Sequence, residues 1–169
     1  DGSAAAETIE EYVATLVRLA WLYVLRNDPR SKAVLERAES LCRRHTLSPA
    51  TMAMLEQTWG ECWRRAGELT RALEHKHRAL LLYERIDDRQ AILKTFGNLS
   101  LIYGEAKDFA RASEYARRVL ALADTMTVEP EILASTHLNL GVACFWQADY
   151  AQAQAEYEAP QQQQQQLHH

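Results

Sequence analysis

Gly97-Asn98-Leu99-Ser100-Leu101-Ile102-Tyr103 decides the fold, because the chain carries the same pattern twice more. Gln57-Thr58-Trp59-Gly60-Glu61-Cys62-Trp63 precedes it and Leu138-Asn139-Leu140-Gly141-Val142-Ala143-Cys144 follows it. Aligned, the large-small pairs Trp59-Gly60, Leu99-Ser100 and Leu140-Gly141 coincide. Further on, Glu68-Leu69-Thr70-Arg71-Ala72 falls on Asp108-Phe109-Ala110-Arg111-Ala112 and on Asp149-Tyr150-Ala151-Gln152-Ala153, one acid-apolar-x-x-Ala pattern throughout. The steps from Trp59 to Leu99 and from Leu99 to Leu140 are almost equal, a period of about 40 residues. A fainter copy places Leu19, Ala20 and Tyr23 one period earlier. A fixed period of this size marks stacked repeats, each burying its apolar face against the next.

Working outward, apolar residues recur at three- and four-residue intervals, as in Ile9, Val13, Leu16, Val17, Ala20 and Val24, which is one face of a helix. Only 6 Gly and 4 Pro interrupt 169 residues, so the segments stay long and strands have almost nowhere to sit. The spacing predicts eight helices, over about 7–26, 31–45, 49–65, 69–86, 88–105, 109–125, 130–147 and from 150 onward. They pair into four repeats, about 7–48, 49–88, 89–129 and 130–160. The expected architecture is all-α, with four antiparallel helix hairpins in a single domain over 1–160. A small residue at Gly60, Ser100 or Gly141 is expected to let the paired helix approach at Ala72, Ala112 or Ala153.

These residues resemble the tetratricopeptide repeat (TPR) family, whose signature is a large residue, then Leu-Gly, then Tyr, then Ala and an aromatic in the second helix. Phe96, Leu99, Ser100, Tyr103, Phe109 and Ala112 take those places in the third copy. His137, Leu140, Gly141, Cys144, Tyr150, Ala153 and Tyr157 take them in the fourth. The resemblance implies a right-handed superhelical solenoid and, because the period is long, the long-repeat type found in signalling adaptors and bacterial regulators. It also implies a protein or peptide partner and a place within a larger signalling or transcription-regulatory protein.

The ends depart from the pattern. Asn27-Asp28-Pro29 at the first inter-helix turn marks an atypical terminal repeat. Pro160 falls where a second helix should continue, and proline costs about 3 kcal/mol in a helix interior. The repeat pattern is therefore expected to stop there, in mid-helix. Residues 161–169, with six glutamines, then read as a non-repeat tail, and both this tail and Asp1-Gly2-Ser3 as cloning remnants on a piece of a longer protein. A polyglutamine interaction tail is the competing reading.

Composition narrows the function. Hydrophobic residues are 47% and charged residues 25%, and no apolar run approaches the roughly 20 residues of a membrane span. A net charge of −4 argues against direct nucleic-acid binding. Three cysteines, Cys42, Cys62 and Cys144, form no CxxC pair, which fits a reducing, cytoplasmic setting and no cysteine-based metal site. His75 and His77, two apart, point to different sides of a helix and read as surface residues. His137 reads as a structural histidine, Cys144 as a small core residue, Trp59 and Trp63 as core, and Asp87-Asp88 as a helix cap. No glycine-rich phosphate loop is present. No enzyme, metal or cofactor is expected.

Binding residues follow from repeat position, since equivalent positions of each first helix line one groove. Just before the large-small pair stand Arg18, Thr58, Asn98 and Asn139. Asn amides donate and accept, so Asn98 and Asn139 either clamp the backbone of an extended peptide or satisfy neighbouring backbone groups between repeats. One turn on, Trp21, Glu61, Leu101 and Val142 should face the same channel. Arg64, Arg65 and Glu105 should lie at its rim, Lys94 beside it and Trp146 near the end. Arg64 and Arg65 form an anion clamp only if Lys94 or Arg18 converges on them. The alternatives are a small-molecule-sensing domain and self-association through the open C-terminal end, which would make a homo-oligomer.

Overall fold

The computed structural model describes residues 2–166, and all regular structure among them is helical. Eight helices follow one another: α1 Gly2–Leu25, α2 Arg30–Arg44, α3 Pro49–Arg65, α4 Leu69–Arg85, α5 Arg89–Glu105, α6 Phe109–Ala123, α7 Pro130–Trp146 and α8 Tyr150–Gln166. Most ends fall within two residues of those read from the spacing. None of the described helices is long and apolar enough to cross a membrane.

Short polar turns set the hairpins. Asn27, Gly67, Lys107 and Ala148 occupy equivalent places between the first and second helix of each repeat, and all have positive φ, from 53° to 79°. Glycine adopts this left-handed conformation freely, whereas Asn, Lys and Ala adopt it against their Cβ. The next residue then closes the first helix, Asp28 N–H donating to Tyr23 O, Glu68 to Trp63 O, Asp108 to Tyr103 O and Asp149 to Cys144 O, at 2.8–3.0 Å. These are six-to-one bonds that satisfy a helix end. The acids Asp108 and Asp149 turn round and cap the following helix, accepting from Arg111 N–H and Gln152 N–H, each at 3.2 Å.

Two ends run past the bounds read from the sequence. α1 begins at Gly2, ahead of Glu7, through an alanine-rich run that favours helix. α8 does not stop at Pro160 but runs through it to Gln166. Proline there removes one donor, the N–H that would reach the carbonyl four residues back, and the following glutamines are good helix formers. Residues 167–169 of the expected tail lie outside the described residues.

The single domain expected over 1–160 divides into two compact units of two repeats each, Asp1–Arg89 and Gln90–His169. In the first unit α1 packs on α2 and α3, and α3 on α4. Its core joins Val13, Val17, Ala20 and Val24 of α1 to Leu35 and Ala38 of α2 and to Leu55, Trp59 and Cys62 of α3. Glu10 of α1 ties the start of α3, accepting from the hydroxyls of Ser48 and Thr51 and from Ser48 N–H. In the second unit α7 packs on both α6 and α8, burying Ala116, Leu140 and Cys144 together. Tyr103 of α5 stacks on Tyr115 of α6 at 5.6 Å.

Each hairpin closes at its small residue, in its own way. Ser100 Oγ donates to Ala112 O at 2.8 Å, and a Cβ on Gly141 would lie 3.4 Å from Ala153 O, both as expected. At Gly60 the neighbour is different: a Cβ would lie 2.9 Å from Cε of Lys76. Gly60 makes room for a buried lysine stem.

Candidate functional site

Repeat register brings a second pair of equivalent positions together across each hairpin, one on the first helix and one on the second. In the first repeat they are Leu16 and Leu35, within the core. In the second, His75 Nδ1 lies 2.5 Å from Glu56 Oε2, and the imidazole stacks on Trp59 at 5.9 Å. In the third, Phe96 packs on Tyr115 at 5.9 Å. In the fourth the ionisable partners are exchanged, His137 Nδ1 lying 2.6 Å from a buried Glu156 Oε2. His137 is thus the structural histidine expected, but His75 is not a solvated surface residue. Its side chain is only 14% exposed, because the Glu56 carboxylate on the preceding helix draws it into the hairpin.

The first unit holds most of the expected charged binding residues, and three of them, Glu61, Arg64 and Arg65, pair with one another. Arg64 Nε donates to Glu61 Oε2 at 2.9 Å and its Nη2 to Oε1 at 2.8 Å, and Arg65 Nε reaches the same Oε1 at 2.8 Å. Burial would raise the Glu61 carboxyl. The hydrogen bonds from Arg64 and Arg65, with the charges of Arg64 and Lys76, more than offset that and hold it below the usual carboxylate range. Glu61 is therefore the anion that Arg64 and Arg65 hold, and the expected clamp for a foreign anion is not formed within this unit. Thr58 does not line a groove either. It is 3% exposed and its Oγ1 donates to Met54 O at 2.8 Å, a bond to its own helix. Trp59 and Trp63 stack at 5.7 Å, as core residues should, with Lys32 and Arg71 each 4.6 Å from the Trp63 ring centre. Arg18 and Trp21 stand exposed on α1.

Lys76, which the sequence did not single out, is the notable charge here. It is 1% exposed, and its Nζ donates to Gln57 O and Oε1 at 3.1 and 3.0 Å. Burial pushes its ammonium down from 10.5 to about 8, with the Glu61 charge opposing and the Arg64 charge reinforcing the drop. A lysine within the hairpin follows from Gly60, which leaves the stem its space.

The second unit holds the remaining expected residues, and they look outward. Asn98 and Asn139, at the same place in successive repeats, are half-buried, and neither side chain makes a hydrogen bond among the described residues. Leu101 is 38% and Val142 46% exposed one turn further along α5 and α7. Lys94, in the second turn of α5, and Glu105, its last residue, are exposed. Trp146 remains 64% exposed although its ring stacks on Phe109 at 5.7 Å. Val142 and Trp146 also line an apolar pocket of about 460 Å³ between α7 and α8, completed by Leu138, Phe145, Tyr150 and Tyr157. The sequence reading does not single out Tyr150 and Tyr157 as surface groups. The signal is present, since Tyr157 occupies the position of the fully buried Ala116, too small a site for a phenol ring.

Cys144 is 1% exposed and burial raises its thiol, which suits a core residue and not a nucleophile. No group of His, Cys, Asp and Glu among the described residues could hold a metal ion.

Comparison with known proteins now bears on this geometry. Residues 50–125 match the family model described as Tetratricopeptide repeat. No curated protein matches the chain by sequence. A solved structure, that of BtubC (BKLC) from P. vanneervenii, superposes with a TM-score of 0.83 at 21% identity. It covers 92% of this chain, which in turn spans 64% of BtubC, and at that identity the likeness shows the fold alone.

Proposed function

We propose that this chain, whose residues 50–125 belong to the tetratricopeptide repeat family, is a protein-interaction module that holds an extended partner segment along α5 and α7. The observation that carries this reading is the pair Asn98 and Asn139, with two side-chain amides at one repeat position and no partner inside the protein among the described residues. An amide left open to solvent can donate to and accept from the backbone of an extended strand without selecting its side chains. Successive repeats present that pair as a ladder.

Two amides making two bonds each contribute about 4 kcal/mol at about 1 kcal/mol per bond. Micromolar affinity needs about 8 kcal/mol, so the partner must bring apolar side chains to Leu101 and Val142. The partner is thus an extended segment with apolar residues spaced along it. The family resemblance supports a regulatory or scaffolding role within a larger signalling protein.

The test is to select peptides from a displayed random library on the purified chain and to compare their affinities with the Asn98→Ala, Asn139→Ala variant. A loss of up to about a thousandfold is expected, the equivalent of about 4 kcal/mol, with a Leu81→Ala control on α4 unchanged. Selected peptides that bind the double variant as well as the original chain would refute the amide ladder.

A further inference from the structure

Within the second unit, α6 shows how this protein receives a following helix. Leu140 and Cys144 of α7 close over Ala116. Trp146 stacks on Phe109, and Gln147 Nε2 donates to Phe109 O at 3.1 Å and to Ser113 Oγ at 3.3 Å. Phe109, Ser113 and Ala116 are therefore the receiving positions of a second helix. One period later they are Tyr150, Gln154 and Tyr157 of α8; the tyrosines are 62% and 66% exposed, and Gln154 stands exposed beside them.

The delivering positions can be traced the other way. Leu140, Cys144 and Trp146 of α7, with Gln147 just past its end, correspond, three periods earlier, to Leu19, Tyr23 and Leu25 of α1, with Arg26 just past its end. Leu19 and Leu25 are 38% and 45% exposed and Arg26 is exposed as well, while Tyr23 is half-buried with Arg30 4.5 Å from its ring centre; Leu22 beside them, at the register of the buried Ala143, is 54% exposed. α1 thus presents, mostly uncovered, the positions by which α7 docks, while α8 carries, uncovered, the positions on which a helix docks.

We infer that α8 of one molecule receives α1 of a second copy, a head-to-tail contact made by the same repeat stacking that seats α7 on α6. The chemistry matches position by position. Gln147 acts only as a donor in its contacts with α6, and Arg26, which can only donate, would meet the carbonyl of Tyr150 and the side-chain oxygen of Gln154. Leu25 takes the place of Trp146 against the Tyr150 ring. The misfit is size, because Leu19 and Tyr23 meet Tyr157 where Leu140 and Cys144 meet Ala116. The pocket of about 460 Å³ that Tyr157 lines gives its ring room to turn aside. A contact of this kind is heterologous: each molecule uses both faces, so it continues beyond a dimer unless the rotation closes. It is independent of the Asn98 and Asn139 reading.

Sedimentation equilibrium of the full chain from about 10 µM to about 1 mM tests it. The weight-average mass should rise from the 19.3 kDa of one chain past twice that value. Leu22→Glu on α1 and Tyr157→Glu on α8, both at exposed positions, should each hold the chain at the single-chain mass. An equimolar mixture of the two should form a 1:1 dimer and nothing larger, since only one intact pair of faces remains. A wild-type chain that stays monomeric throughout overturns the inference, and so does association that survives either variant. A mixture that stays monomeric also overturns it, since that outcome points to like faces pairing with like. Circular dichroism verifies folding, and Leu25→Ser and Gln154→Arg replace the first two variants if either loses helix.

Discussion

Replacing Lys76 by Met should change the pH dependence of stability in a way that can be worked out beforehand. The ammonium is 1% exposed, and burial lowers its pKa from 10.5 to about 8. The unfolded chain therefore binds a proton that the folded chain releases between about pH 8 and 10.5, so stability rises with pH across that window and the cost is fully present below it. The drop corresponds to about 3 kcal/mol at pH 7. Met keeps the unbranched volume beside Gly60 and removes that cost, but forfeits the two hydrogen bonds to Gln57, about 2 kcal/mol together. Lys76→Met should thus be about 1 kcal/mol more stable than the original at pH 7 and about 1 kcal/mol less stable at pH 10, crossing near about pH 9. Urea unfolding followed by circular dichroism at several pH values measures the difference. Titration of thiols and tyrosines, whose pKa values burial raises at Cys62, Cys144, Tyr83 and Tyr115, is common to both proteins and cancels. A difference that stays constant from pH 6 to pH 10 would refute a buried, proton-releasing Lys76.

Three further outcomes follow from the same structure. Gly60→Ala should destabilise by about 1–3 kcal/mol despite the better helix propensity of Ala, because its Cβ meets Cε of Lys76 at 2.9 Å; in a Lys76→Ala background the same change should become neutral or favourable, which a double-mutant cycle in urea reads directly. Lys107→Gly and Ala148→Gly, at φ of 61° and 63°, should each raise the melting temperature, by about 1 kcal/mol of relieved strain, whereas Gly67→Ala should lower it. Glu61, held below its ordinary range by Arg64 and Arg65, contributes stability that is present above about pH 4.5 and lost as pH falls through its lower folded value. Glu61→Gln should accordingly flatten the acid limb of a pH-denaturation curve, and an unchanged limb would show that the Arg64 and Arg65 bonds contribute nothing there.

The helices were legible because their signals are local. Apolar spacing, the Asn27-Asp28-Pro29 break and the acids Asp108 and Asp149 act within a few residues of where they stand, and the observed ends follow them closely. Pro160 is the exception, a local signal for a stop that the helix runs through. Among expected site residues, Asn98, Asn139, Leu101 and Val142 keep outward places, while Thr58 turns inward and Arg64 and Arg65 close on Glu61. Repeat position alone does not tell these cases apart, since Thr58 and Asn98 share one register. What separates them is reach: a threonine hydroxyl on Cβ finds its own helix carbonyl four residues back, and an amide whose polar atoms stand one bond further out, on Cγ, does not.

The sequence by itself determined eight helices, their pairing and their period, since each depends on residues near in the chain or one repeat away. Tertiary structure decided which polar groups are spent. Glu56 with His75 and Glu156 with His137 use one pair of positions in opposite order, and Phe96 with Tyr115 fills it without charge. The backbone holds those positions together whatever side chains occupy them, so the period fixes the contact and only packing fixes its chemistry. The same division sets Lys76 inside and Tyr157 outside at one register, because the buried stem lies against Gly60 with its ammonium on Gln57, while the phenol stands on the exposed face of α8.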